Sequence, residues 1–287
     1  MANFIHKNKL QNTRILLIGG TSGIGFAIAR AALENEASVI LASSKPEKVA
    51  NAVSRLKDLY PEEPYISRIA GQTVDLSNEK TMEDDIVSLF EFAAARDTFP
   101  GSPAASSVTE EASSGKVPIN HIVITAGAIP RLLPPTDPGV NVDYLKSLNT
   151  VRVIGAALIA KHAPTYMPAS HLSSITFTTG AISQRPMKGF TLAVSIATAV
   201  EGLAKGLAVD LAPIRVNTVL PGPVRTEIFD VFGDKDTVDG ILAGHAEKTL
   251  VKKVGDPDEL AETYLALIKD SFVTGIMVRS DGGMVAF

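Results

Sequence analysis

The sequence predicts a doubly wound α/β fold, a parallel sheet with helices packed on both faces. Three observations carry this reading. Short runs rich in Val, Ile and Leu alternate with longer helical stretches, the pattern of right-handed β-α-β crossovers. Those runs are apolar nearly throughout, as strands covered on both faces are. The first of them passes straight into a glycine-rich turn and then a helix.

In chain order, strands are expected at residues 14–18, 38–42, 69–74, 121–124, 174–178, 215–219 and 275–279, each an apolar run of strand length. Helices are expected between them at 24–35, 46–59, 79–95, 142–166, 191–211 and 257–269. One segment breaks the alternation. Residues 98–117 are rich in Pro, Gly, Ser and Ala, with Glu110 and Glu111 adding charge, where a few residues normally suffice. This reads as a mobile surface insertion in one domain spanning 1–287, because the strands before and after it belong to one sheet.

At 287 residues, 45% of them apolar, the chain has the length and the core for such a sheet. A formal charge of -4 leaves no basic footprint for nucleic acid and no polybasic membrane patch. With no cysteine, disulfides and thiolate metal sites are excluded. Lys7 and Lys9 precede the first strand without an apolar run, which argues against a secretory signal. Arg152, Lys161, Glu201, Lys205 and Asp210 interrupt the longest apolar stretches, so no membrane span is expected and a cytoplasmic location is. His6, His121, His162, His171 and His245 show no metal-ligand spacing; each is expected in a solvated or capping role, and no metal site is expected.

The turn after the first strand reads Gly19-Gly20-Thr21-Ser22-Gly23-Ile24-Gly25. Glycines there permit a tight turn, close approach to a pyrophosphate and close helix–strand packing. The helix N-terminus that follows offers free N–H groups and a positive dipole end to phosphate. A glycine trio alone is weak evidence; between the first strand and the first helix it points to dinucleotide binding.

The spacing of Gly19, Gly23 and Gly25 resembles the TGxxxGxG of the short-chain dehydrogenase/reductase (SDR) family, with Ile18 in place of the Thr. The resemblance extends along nearly the whole chain. Asp75, followed by Leu76, matches the family's acidic residue at the adenine, and Thr125-Ala126-Gly127 resembles its NNAG with Thr for the second Asn. Asn149 falls at the family's helix-four Asn. Arg215-Val216-Asn217, then Pro221-Gly222-Pro223-Val224-Arg225-Thr226, resembles the RVN…PGxxxT element that lines the nicotinamide, and Asp281-Gly282-Gly283 the terminal DGG.

This resemblance implies a Rossmann-type sheet of about seven strands in the order 3-2-1-4-5-6-7. It implies a dinucleotide held by Gly19, Thr21, Ser22, Gly23, Ile24, Asp75, Leu76, Ala126, Gly127, Pro221, Gly222, Val224 and Thr226. It implies a homodimer or homotetramer joined through the fourth and fifth helices, and a substrate-covering segment at 227–251. In that segment Phe229, Val231, Phe232 and Ile241 either line an apolar pocket or pack on the sheet. Cofactor choice is read from the end of the second strand, where Ser43, Ser44 and Lys45 stand without a carboxylate. Two hydroxyls and an ammonium suit the 2′-phosphate of NADP(H), whereas an acid there would take the ribose hydroxyl of NAD(H).

The family's chemistry rests on a Tyr-x-x-x-Lys of its fifth helix. Ala199-Val200-Glu201-Gly202-Leu203 resembles the AALEGL that follows the Lys, which puts Ala197 at the Lys position and Ala193 at the Tyr position. The orienting Ser falls at Gly180, or at Thr179 with a shift of one residue. A positioned general acid is worth roughly 100- to 10,000-fold in rate, about 3 to 5 kcal/mol, so an ordinary ketone reductase would be crippled. An iminium ion, already charged, or an activated enone loses less. Catalytic candidates that remain are Asn149, Arg152 and Thr179; Arg152 stands one helical turn beyond Asn149 and is expected on its face. Arg131 and Arg185 are further candidates for holding an oxyanion or carboxylate.

Three functions follow. The first is an NADPH-dependent reductase of an imine, iminium or enone on a small natural-product-like substrate. The second is an isomerase or cyclase that keeps the cofactor pocket as scaffold, as in the bifunctional reductase/Diels–Alderases of fungal natural-product pathways, which also lack the Tyr and Lys. The third is a non-catalytic NADP-binding regulator. The nicotinamide-side residues from Pro221 to Thr226 favour the first two, since a sensor has no need to position the nicotinamide.

Overall fold

The computed structural model describes residues 9–100, 116–127 and 133–286. Most of the expected insertion, residues 101–115, lies outside them, as do His6 and Arg131. Seven strands form one parallel sheet: β1 (Arg14–Ile18), β2 (Ser38–Ser43), β3 (Ile69–Thr73), β4 (His121–Ile124), β5 (Ser174–Thr178), β6 (Arg215–Pro221) and β7 (Met277–Ser280). Their order is β3-β2-β1-β4-β5-β6-β7, as expected. The winding reverses between β1 and β4, which pair directly with Ile18 opposite Ile124. Open α/β sheets take their ligands in the crevice beyond the carboxyl ends of the strands at such a switch point.

Eight α-helices occur among the described residues: α1 (Gly23–Glu34), α2 (Pro46–Leu59), α3 (Met82–Ala94), α4 (Val142–Asn149), α5 (Ala156–Tyr166), α6 (Thr191–Asp210), α7 (Lys235–Ala246) and α8 (Pro257–Lys269). Successive strand residues point to opposite faces. Accordingly Ile15 and Leu17 join a core with Ile28 of α1, Leu56 of α2 and Tyr264 of α8, while Leu16 and Ile18 join another with Phe90 of α3, Ile159 of α5 and Val200 of α6. Helix α8 begins with a capping box in which the Asp256 carboxylate accepts from the N-terminal turn and Glu259 reaches back to the Asp256 N–H at 2.9 Å. It lies along α1 and holds the glycine-turned helix down on the sheet.

The structure departs from the expected elements in four places. Helix α3 starts at Met82, because Asn78 folds a turn first, its carboxamide accepting from Lys80 N–H at 3.1 Å. β7 starts at Met277, because Gly275 at φ +73 is outside strand geometry. The segment 227–251, expected only as a cover, carries a 3₁₀ turn (Glu227–Phe232) and then α7, whose Asp234 cap accepts from Thr237 N–H at 2.9 Å. The single helix expected over 142–166 is interrupted between α4 and α5 by a π-helical stretch, Thr150–Gly155. Four of its residues, Thr150, Val151, Val153 and Ile154, are β-branched, and the Thr150 hydroxyl bonds back to Lys146 C=O at 3.0 Å. Both features weaken regular α-helix there.

Helix α6 has the length and apolar composition of a membrane span, with 28% of the apolar window buried. Its Val200 and Ala204 belong to the sheet core, and Glu201 and Lys205 fall mid-helix.

Candidate functional site

The turn after β1 is shaped by backbone contacts that leave no room for a side chain. Gly19 has φ +97, and a β-carbon on it would stand 2.5 Å from the Ala126 N–H nitrogen. One on Gly25 would stand 2.2 Å from the Gly19 carbonyl oxygen. Thr125 and Ala126 N–H groups both donate to Ile18 C=O, at 2.9 and 3.0 Å, and Thr125 Oγ1 donates to Gly19 C=O at 3.0 Å. The β1 turn and the Thr125-Ala126-Gly127 loop are therefore one packed unit.

At the start of α1, Ser22 occupies the N-cap with extended backbone, yet its side chain makes no capping bond and the first turn carries no acid. The N–H groups and positive dipole end of that turn are thus left for an outside acceptor, which is what a pyrophosphate requires. Thr21 is buried beneath the turn, while Ser22 is exposed and Ile24 half-buried at its rim. From across the crevice Thr226 closes on Gly23, its Cγ2 2.9 Å from where a Gly23 β-carbon would stand.

Further along the crevice, Ser43 ends β2 opposite Thr73, and Ser44 and Lys45 follow on the surface. Lys45 is the extended N-cap of α2, a conformation enforced by Pro46 behind it. Asp75, half-buried after β3, accepts from Ser77 N–H at 2.8 Å and Ser77 Oγ at 2.6 Å, which fixes its carboxylate. Leu76 is buried against Gly155 at the end of the π-helical stretch.

The ends of β6 and β7 supply the opposite wall. Gly222 lies so close to Asp281 that a β-carbon would stand 2.6 Å from the Asp281 Cα, and Gly222 N–H donates to Ser280 C=O at 2.9 Å. Pro221 closes the buried strand β6; Val224 is buried and bridges Gly255. Asp281 accepts from Gly283 and Val285 N–H, both at 3.0 Å, so it shapes the chain's final turn.

The Arg-Val-Asn half of this element, outside the expected cofactor residues, ties β6 to the end of α8. Arg215 donates to Leu267 and Ile268 C=O at 2.8 and 2.9 Å, the C-terminal carbonyls of α8, and Asn217 bonds Val273 C=O at 2.9 Å. A cation at a helix C-terminus satisfies orphan carbonyls and the dipole together. These residues stand at the start of β6, whereas the crevice lies past its end.

Of the catalytic candidates, Arg152 and Thr179 stand at the strand ends. The Arg152 guanidinium packs on Gly127, its Cζ 2.3 Å from where a β-carbon there would stand, and burial pulls its pKa below the ordinary value. Asn149 ends α4 with its carboxamide donating to Leu145 C=O at 2.8 Å, on its own helix. The step from Asn149 to Arg152 runs into the wider π turn, so the α-helical spacing that was to put both on one face does not hold there. Thr179 follows β5, its N–H bonded to Val219 C=O at 3.0 Å and its hydroxyl donating to Glu201 Oε1 at 3.3 Å. Arg185 donates to Met284 C=O and so ties the loop after β5 to the C-terminal turn. In the covering segment, Phe229 packs on Phe232 and His245 within the segment itself, with Val231 exposed.

Ala193 and Ala197 lie one helical turn apart on α6, the second of them buried. Glu201, a further turn along the same face, is buried as well; the sequence marked it only as a break in an apolar stretch and part of a matched motif. A lone carboxylate four residues beyond Ala197 on an otherwise apolar face was the signal that could have found it. No group of three or more metal-ligating side chains occurs among the described residues.

An uncapped helix N-terminus behind a glycine turn, set at the switch point of a parallel sheet, defines a dinucleotide-binding α/β protein. A family model described as an SDR-like Rossmann domain matches residues 6–98 and 112–287, and the chain belongs to the SDR family. It is 38% identical over 276 residues to the short-chain dehydrogenase/reductase ucsE of Acremonium sp, covering 96% of each chain. It is 32% identical to the short-chain dehydrogenase/reductase malC of Malbranchea aurantiaca, covering 97% of each. The solved structure of MalC Reductase/Diels-Alderase from that organism superposes with a TM-score of 0.85, over 98% of this chain and 100% of that one. A small-chain dehydrogenase solved in complex with NADPH superposes at 0.68 with 26% identity, over 96% of this chain and 99% of the other.

Proposed function

We propose that this protein is an NADPH-dependent reductase of fungal-type natural-product assembly whose acceptor needs little or no proton donation, an iminium ion or an activated enone. The observation that carries this is an intact cofactor-side element in a chain without the family's proton donors. Thr226, at the end of the Pro221-to-Thr226 element, closes on Gly23 of the glycine turn, while the family's Tyr and Lys positions on α6 hold Ala193 and Ala197.

When bound, the nicotinamide supplies a hydride. The protein's own residues do the rest. Gly19, Thr21, Ser22, Gly23 and Ile24 form the phosphate cradle, and Asp75, Leu76, Ala126 and Gly127 flank the adenine side and the middle of the crevice. Ser43, Ser44 and Lys45 favour a 2′-phosphate, because no carboxylate there repels it. Ala193 and Ala197 can neither give a proton nor hold a charge, which restricts the acceptor. Arg152, packed on Gly127, is placed to steady negative charge that develops on an enone oxygen.

A second reading, catalysis of a cyclisation in the same pocket, is supported by the likeness to the MalC Reductase/Diels-Alderase. NADPH consumption measured with a cyclic imine, an enone and a ketone separates the readings. Turnover of the imine or enone with NADPH in preference to NADH is the expected result, with the ketone turned over only after Ala193→Tyr is combined with Ala197→Lys. Tight NADPH binding with no turnover of any of the three would sink the reductase reading.

A further inference from the structure

We propose that Glu201 and Thr179 form an anionic subsite for a positively charged N–H group of the substrate. This rests on the reductase reading and selects, within it, a cationic nitrogen over a neutral carbonyl. Glu201 is 8% exposed, on the face of α6 that carries buried Ala197, Val200 and Ala204. Among the described residues it makes one hydrogen bond, the long one from Thr179 Oγ1 at 3.3 Å, and no ion pair. Buried carboxylates in folded proteins are paired or multiply hydrogen-bonded, since removal from water costs several kcal/mol otherwise. Glu201 Oε2 takes no hydrogen bond from the described residues and still reaches solvent, so a cation from outside can meet it.

The direction of the Thr179 bond says what kind of cation. A hydroxyl has one proton and two acceptor lone pairs. Thr179 commits its proton to Glu201, so what it can offer a ligand is a lone pair. A lone pair accepts from an N–H⁺ group and repels a carbonyl oxygen or an alkoxide. The same hydroxyl that in a ketone reductase would donate is here turned into an acceptor by the carboxylate behind it. Its place suits the role: Thr179 leaves β5 beside Val219 of β6, two residues before Pro221, at the strand ends where the acceptor must sit. Ala197, a turn nearer the N-terminus of α6, and Ala193 beyond it keep that face of the helix free of long side chains near the carboxylate.

The test is a binding measurement, independent of turnover. Calorimetric titration of the protein saturated with NADP+ compares tetrahydroisoquinolinium, a protonated cyclic secondary amine, with isochroman, its neutral oxygen isostere. The wild type is expected to prefer the cation by roughly ten-fold or more, the scale of one charge-assisted hydrogen bond. Glu201→Gln should abolish the preference, Glu201→Asp should keep part of it, and Thr179→Val should weaken it while leaving the charge. NADPH binding by each variant reports an intact fold; if Glu201→Gln fails that control, the Asp and Val variants decide. Equal affinity for the two ligands in the wild type, or a preference that survives both Glu201→Gln and Thr179→Val, overturns the subsite. Imine reduction without the preference would leave the reductase reading standing and remove this one. The preference without any reduction would do the reverse.

Discussion

His121 opens β4 with its ring fully inside the sheet, opposite Ser174 of β5, whose Oγ lies 2.9 Å from Nδ1. Burial, and then the positive Arg215 nearby, lowers its pKa from 6.5 to about 3. The unfolded chain therefore takes up a proton near pH 6.5 that the native protein refuses. The stabilisation is complete above that pH and is lost as pH falls through the window from 6.5 toward 3. One such group removes about 2 kcal/mol by roughly pH 5. His245, lowered by burial and then by Lys248, acts in the same direction. Unfolding free energy from urea titrations should thus decline between about pH 6.5 and 5, before most carboxylates protonate. His121→Asn should flatten most of that decline, and an unchanged slope would refute the assignment. The solvated or capping role expected of this histidine does not hold: it is buried at the start of the central strand β4, where Ser174 of the neighbouring strand supplies its hydrogen bond.

At the scale of elements, the π-helical stretch between α4 and α5 places Arg152. An i→i+5 turn holds one more residue than an α turn, so it rotates everything before it relative to everything after it. Helix α5 is anchored by Ile159 and Ala163 in the sheet core, and Arg152 is thereby turned onto Gly127. Deleting Val153 should relax the stretch to plain α-helix and swing Arg152 off the crevice by about one residue's rotation, about 100°. The expected result is retained NADPH binding with enone turnover reduced at least ~100-fold, the loss typical when a charge-stabilising donor is removed. Retained turnover would show that Arg152 has no part in the reaction. The sequence resolved the strands, the glycine turn and α1 nearly to the residue, because each rests on local hydrophobicity or glycine geometry. It missed the π stretch, since Thr150, Val151 and Val153 lower α-propensity without naming the alternative. It gave Arg215-Val216-Asn217 only as part of a matched motif, and said nothing of their hold on the end of α8, which depends on where α8 packs.

For the whole molecule, the uncovered side of α6 bears on assembly. Val200 and Ala204 pack on the sheet core and Ile196 is buried, but Val209 is 77% exposed, and β-carbons added at Gly202 or Gly206 would meet nothing within 4 Å. An apolar helix with a small, smooth outer side suits close approach of a second copy, in keeping with the dimer or tetramer that the family resemblance implies. Steric tolerance inside the protomer makes the idea testable without damaging the fold. Glycine in a helix interior costs roughly 0.5–1 kcal/mol relative to alanine, so replacing Gly206 by Gln should leave the protomer at least as stable. The longer side chain at 206 would nevertheless hold two α6 helices apart. Sedimentation velocity should therefore show the wild type as an oligomer and Gly206→Gln, or its double with Gly202→Gln, shifted toward monomer. Thermal unfolding should confirm that the shift does not come from a damaged fold. If the double variant sediments like the wild type, any assembly uses another face, and the outer side of α6 is simply solvated.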